Sequence, residues 1–241
     1  VGNDSIFGDG DSIGGDDSIV GTAPQAATPG PFDTLFGGAG GNLIATNNYY
    51  FGNLGDDTIQ GSGSNDSLFG GKGDDSLFAG QGAVKSFLFG DIGDDTIIGG
   101  GDDDTLLGDY DPTGGGDDTI QGAEGDQVYM NGNIGDDSLV MGAGAEASLY
   151  GGQGNDFIDG SASTAESYLA GNKGSDTIIA GTITDTVYGG EGDDSLQGIA
   201  GTSLTETGTG LFGEDGNDVL VGLGFQGLVG GSGNDYLYSS T

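Results

Sequence analysis

The chain has 241 residues, among them 57 Gly, 39 acidic residues, three Lys or Arg and no His or Cys, for a formal charge of −36 at pH 7. Disulfides and thiolate or imidazole metal sites are thereby excluded. Nucleic acid is a poor partner for so negative a chain, and no 18-residue apolar run marks a transmembrane helix. Gly and Asp at this level normally accompany disorder, yet 33% of the residues are hydrophobic and 20 are Phe or Tyr. An apolar interior is therefore expected, and so is a counter-charge for the acids.

In chain order, residues 1–34 are the irregular part. Asp4, Asp11 and Asp17 lie too close together for the spacing found further on, and TAPQAATPGP (22–31) is a Pro-containing insertion. No signal-peptide pattern opens the segment. Ile6, Ile13 and Ile19 are expected to continue the core, in positions the spacing leaves open. Residues 35–241 read as one continuous solenoid.

Within that stretch GNLGDDTIQG (52–61), GNIGDDSLVMG (132–142), GGEGDDSLQG (189–198) and GGSGNDYLY (230–238) repeat one pattern. Each has a Gly two residues before the Asp (Gly-x-x-Gly-x-Asp, and Gly-x-Gly-x-Asp as well in the last two), then Thr, Ser or Tyr, then a large aliphatic. The aliphatics Ile59, Leu77, Ile97, Ile120, Leu139, Ile158, Ile178, Leu196, Leu220 and Leu237 recur about every 19 residues. A weaker file lies between them: Leu35, Tyr50, Leu68, Leu88, Leu106, Met130 (or Val128), Leu149, Leu169, Val187, Leu211 and Leu228. From weak to strong file the gap is nine residues in every coil but one, counting Ile44 as the partner of Leu35; Leu106 to Ile120 is 14. The return gap varies. A surface loop tolerates insertions. A loop whose oxygens must meet one ion does not, and the loop of constant length is the one holding the repeated Gly-x-Asp.

Two short strands and two Gly-rich turns per coil predict an all-β parallel β-solenoid, with coils one inter-strand spacing apart. Stacking aligns Asp57, Asp75, Asp95, Asp118, Asp137, Asp156, Asp176, Asp194, Asp218 and Asp235 in a column. Carboxylates about 5 Å apart repel by roughly 3 kcal/mol per pair at an effective dielectric of 20. A divalent ion between successive loops reverses that sign and couples metal binding to folding. Without His or Cys, the hard oxygen donors that remain suit calcium. The preceding residues, such as Asp56, Asp74, Asp94, Asn155 and Asn217, are expected to face outward.

GGQGNDFID (151–159), GGEGDDSLQ (189–197) and GGSGNDYLY (230–238) resemble the repeats-in-toxin (RTX) nonapeptide, Gly-Gly-x-Gly-x-Asp-x-U-x with U a large aliphatic. The resemblance implies a right-handed parallel β-roll that binds calcium, roughly one ion per coil, and secretion of a largely unfolded chain. It also implies ligation by the column Asp and by loop carbonyls near Gly55, Gly73, Gly93, Gly116, Gly135, Gly154, Gly174, Gly192, Gly216 and Gly233. One departure stands out. The second edge mostly lacks the motif, as in GAVKSFLFG (82–90), GAEASLYG (144–151) and STAESYLAG (163–171), so the calcium ladder is expected mainly on one edge. Asp66, Asp104, Asp126 and Asp185 on the other edge read as scattered exceptions, more simply turn caps than ligands.

Phe36, Phe51, Phe69, Phe89, Leu107, Tyr150, Tyr188, Phe212 and Val229 each follow a weak-file residue. Alternation points them outward, as an assembly face unless local insertions cover them. Lys72, Lys85 and Lys173 are expected on the solvated surface. No residue stands apart as a nucleophile or base, and GGKGDD (70–75) lacks the Lys-Ser/Thr of a phosphate loop, so no enzymatic activity is expected. The leading reading is a secreted calcium-binding rod in an extracellular fibre, surface layer or adhesin, with end-to-end self-association and a cell-surface or matrix partner. The second is a calcium-dependent folding and secretion segment of a larger toxin or hydrolase. Ice binding is a third and weaker reading, because Leu54, Lys72, Ile92, Ile134, Gln153, Lys173, Glu191 and Ser232 form no flat Thr or Asn array.

Overall fold

Each half-coil turns one large apolar residue inward between two outward neighbours, polar in some strands and aromatic or aliphatic in others, a period-two pattern that selects a short strand. The computed structural model describes residues 5–6, 18–20, 33–36, 48–61, 63–110, 114–125, 127–144, 146–182, 184–199, 210–223 and 227–240. They form an all-β parallel β-solenoid with no helix among them, and so none long and apolar enough to cross a membrane.

The chain divides into two units, Val1–Ala123 and Glu124–Thr241. In the first, one sheet stacks Ser5–Ile6, Asp33–Phe36, Asn48–Leu54, Ser67–Lys72, Phe87–Ile92 and Thr105–Leu107, every pair parallel. The facing sheet stacks Ser18–Val20, Thr58–Gln60, Ser76–Phe78, Thr96–Ile98 and Thr119–Gln121. The second unit repeats the plan, with Val128–Ile134 to Gly227–Ser232 in one sheet and Ser138–Val140 to Tyr236–Ser240 in the other.

Register follows the two aliphatic files. Leu68 pairs with Leu88 and Leu77 with Ile97 in the first unit, Leu149 with Leu169 and Ile158 with Ile178 in the second. All eight are fully buried, each worth about 1.5–3 kcal/mol. Met130, not Val128, pairs with Leu149, although both are buried. At the start of the chain the register partner of Ile59 is Ile19, not Ile44, and Ile6 pairs with Leu35. Ile13 and Ile44 lie outside the described residues.

One turn position is left-handed in coil after coil. Gly71, Asp91, Asn133, Gly152, Asn172, Gly190, Glu214 and Gly231 have φ between 76° and 126°. Asn and Asp tolerate that conformation, but a Glu held there costs about 1–2 kcal/mol. Glu214→Gly is therefore expected to stabilise the folded chain by about 1 kcal/mol after the greater freedom of unfolded Gly is subtracted. Thermal unfolding in calcium checks this, and a lowered midpoint would contradict it.

Candidate metal edge

The loop of constant length is built on its second glycine. Gly55, Gly73, Gly93, Gly135, Gly154, Gly174, Gly192, Gly216 and Gly233 all have φ between 107° and 151°, which folds the chain tightly enough for loops to stack. A Cβ at Gly73 would meet the Gly55 carbonyl, and one at Gly154 would meet that of Gly135. The predicted ligand carbonyls thus face the next coil's glycine. Gly116 is not among the left-handed set; it follows the five extra residues that lengthen its turn.

Within each unit the column aspartates lie together on this edge, Asp57, Asp75, Asp95 and Asp118 in the first and Asp137, Asp156, Asp176, Asp194, Asp218 and Asp235 in the second. Asp57, Asp75, Asp95, Asp118, Asp137, Asp156, Asp176, Asp194 and Asp218 are 1–2% exposed, and Asp235 is half-buried. Each unit runs one ladder of bonds. The Asp57 N–H donates to Asp75 Oδ1 at 2.7 Å, and Asp75 N–H to Asp95 Oδ1 at 2.7 Å. In the second unit Asp137, Asp156, Asp176 and Asp194 donate to the next aspartate's Oδ1 at 2.7–2.9 Å.

The second carboxylate oxygen sets this edge apart. Oδ2 of Asp75, Asp95, Asp156, Asp176, Asp194 and Asp218 is buried and meets no hydrogen-bond donor. Each points at the glycine five residues earlier, where a Cβ would lie under 3.0 Å away, at Gly70, Gly90, Gly151, Gly171, Gly189 and Gly213. At Gly70, Gly189 and Gly213 the same space also meets the carbonyl oxygen of Gly90, Gly213 and Gly230 in the following coil. This first-glycine set was not singled out in the sequence, although it is the opening residue of the nonapeptide.

A buried anionic oxygen beside carbonyl oxygens, with no N–H nearby, fits a hard cation. Among the described residues no three acidic side chains form one metal-sized group. The donors are spread one carboxylate per coil, and carbonyls must complete any ligand set. The electrostatics agree. Burial, opposed by the backbone N–H bond and reinforced by neighbouring aspartates, pushes Asp75 and Asp194 up to about 7 and Asp95 and Asp156 to about 8. Asp176 rises to about 6, again chiefly by burial.

The other edge is not scattered. Asp66, Ser86 and Asp104 in the first unit, and Ser167 and Asp185 in the second, each lie two residues before an inward aliphatic, the position Asp holds on the metal edge. At Asp104 and Asp185 both carboxylate oxygens find donors. Asp104 Oδ1 accepts the Ser86 N–H at 2.8 Å, and Oδ2 accepts those of Gly100 and Gly101 at 2.7 and 3.1 Å. Asp185 Oδ1 accepts the Ser167 N–H at 2.9 Å, and Oδ2 those of Gly181 and Thr182 at 2.7 and 2.8 Å. Asp66 Oδ2 accepts the Gly63 N–H at 3.0 Å. Burial raises Asp104 as well, but its oxygens already accept backbone N–H groups. These are turn caps. Asp126 lies outside the described residues.

Asp56, Asp74, Asp94, Asn155 and Asn217 are exposed and bind the next loop's N–H, as in Asp74 N–H to Asp56 Oδ1 at 2.9 Å. Lys72, Lys85 and Lys173 are exposed too.

The aromatic file is half-buried, mostly by its own members. Phe51, Phe69 and Phe89 stack at 4.8 and 5.0 Å, and Tyr110, from the lengthened turn, packs edge-on against Phe89 at 6.0 Å. In the second unit Tyr150, Tyr188 and Phe212 are joined by Tyr129 and Tyr168. Those two precede the inward residue instead of following it, an outward position equally legible from alternation and overlooked in the sequence. The side chain of Phe36 lies outside the description.

A family model for the RTX calcium-binding nonapeptide repeat (4 copies) matches residues 51–83, 87–109, 148–164, 170–202, 211–226 and 228–240, together more than half of the chain. No curated protein and no solved structure is significantly similar to it.

Proposed function

The chain belongs to the family of RTX calcium-binding nonapeptide repeats, and from that premise we propose that it is a secreted structural rod stiffened by calcium along one edge. The carrying observation is the file of buried, donor-free Asp Oδ2 atoms, of which Asp75, Asp95, Asp156, Asp176, Asp194 and Asp218 are clear members. Calcium would be held by these carboxylates with carbonyls of the adjoining glycines, and would supply the positive charge that a carboxylate column needs to stay buried. Roughly one ion per coil is the stoichiometry this implies. Each metal-edge carboxylate is one copy of a repeating unit, which favours a mechanical over a catalytic role.

Assembly end to end into an extracellular fibre, surface layer or adhesin is the finer reading. Light scattering and electron microscopy of this chain in millimolar calcium are expected to show filaments that disperse in chelator. A persistent monomer under those conditions would count against assembly while leaving calcium binding intact. The alternative, a folding segment of a larger secreted protein, is favoured by that outcome.

A further inference from the structure

We propose that the outer face of the longer-stranded sheet in the second unit docks an extended, arginine- or lysine-rich segment of a partner protein. This goes beyond calcium binding and does not require a fibre. Along that face Tyr129, Tyr150, Tyr168 and Tyr188 follow one another at 5.5, 5.4 and 5.5 Å between ring centroids. Each ring is tilted by 36–39° to the next. Tyr129 and Tyr168 are each 38% exposed. One ring per coil, alternating between two columns, makes a track on which a chain laid along the stacking direction meets the same chemistry at every step.

The track is bordered by acids. A cleft of about 560 Å³ lies between Tyr129, Tyr168, Glu146 and Glu166. A second, of about 550 Å³, is lined by Tyr168, Tyr188, Glu191, Glu214 and Asp215, with Lys173 its one cation. Cross-strand aromatic pairs stabilise sheets by themselves, which accounts for the rings but not for the carboxylates beside them. The first unit supplies an internal contrast. Its stacked phenylalanines border a cleft with Leu54, Ile92, Lys72, Asp91 and Tyr110, which is mainly apolar and has no charge excess. Tyrosine faces attract cations, and Arg and Lys lay their apolar stems on such rings while their heads reach neighbouring carboxylates. A second copy of this chain, itself at −36, is repelled from the same surface.

The test uses the whole chain in millimolar calcium at physiological salt, with fluorescently labelled decaarginine and, separately, a neutral cello-oligosaccharide as probes. Tyr150→Leu with Tyr188→Leu is expected to weaken decaarginine binding about tenfold, and Glu146→Gln with Glu166→Gln comparably. Asp102→Asn with Asp103→Asn, exposed acids of the first unit, should change it by less than about twofold. Strand signal and calcium stoichiometry should be retained throughout. If the first tyrosine pair fails to fold, Tyr129→Leu with Tyr168→Leu, the more exposed pair, replaces it. Equal weakening by all variants would reduce the effect to general polyanion attraction and overturn the proposal. So would decaarginine binding indifferent to the tyrosines, or oligosaccharide binding without peptide binding.

Discussion

Removing calcium at pH 8 is expected to collapse the strand signal in circular dichroism, and lowering the pH of the calcium-free chain toward 5 is expected to restore part of it. The carboxyls on the metal edge ordinarily titrate near 3.8, but in the fold Asp176 is raised to about 6, Asp75 and Asp194 to about 7, and Asp95 and Asp156 to about 8. A carboxyl with a raised folded pKa binds its proton more tightly folded than unfolded, so the calcium-free fold loses stability as pH rises. The destabilisation is absent below about 4, grows through the interval from 4 to 8, and is complete above about 8. Protons and calcium therefore compete for one set of oxygens, and apparent calcium affinity should fall on acidification through the same interval. Dichroism across this range, with chelator and with calcium, checks both statements. Strand content in chelator that is highest at pH 8 would contradict the assignment of these oxygens to a cation.

Asp156→Asn and Asp185→Asn should separate the two edges, although the substitution is chemically identical. At Asp156, Oδ1 accepts the Asp137 N–H at 2.9 Å and Oδ2 has no donor. An amide can keep the first bond but replaces an anionic oxygen ligand, so about one or two calcium ions should be lost. The calcium concentration needed for folding should rise about tenfold. At Asp185 both oxygens accept N–H groups, and Oδ1 also takes the Thr182 hydroxyl at 2.9 Å. There the amide must turn a donor toward donors, at a cost of about 1–3 kcal/mol, with calcium stoichiometry unchanged. Titration calorimetry and thermal unfolding report the two quantities separately. Ions lost from Asp185→Asn would show that the second edge holds metal too.

Much of this was legible because the repeat is its own ruler. The nine-residue gap located the loop of constant length, and the Asp column and both aliphatic files followed from it. Where insertions broke the ruler, the reading faltered. Ile44 stands nine residues after Leu35, yet the register partner of Ile59 is Ile19, 40 residues earlier in the chain, which a count of fixed gaps does not reach. Asp66, Asp104 and Asp185 looked irregular because variable turns separate them, although each holds the same place before its strand. Tyr129 and Tyr168 escaped because only one of the two outward positions was followed.

By itself, then, the sequence determined the parallel coil, the burial of its two aliphatic files and the alignment of one Asp per coil. Periodicity alone constrains those features, since each coil must superimpose on its neighbour. Tertiary structure decided what each aspartate does. The same residue in the same turn position is a cap where its own loop's N–H groups close on Oδ2, and a candidate ligand where Oδ2 is driven against a first glycine and a neighbouring coil's carbonyl. That difference lies in the direction of a few backbone N–H groups, which no residue type encodes and which only the stacked turns supply.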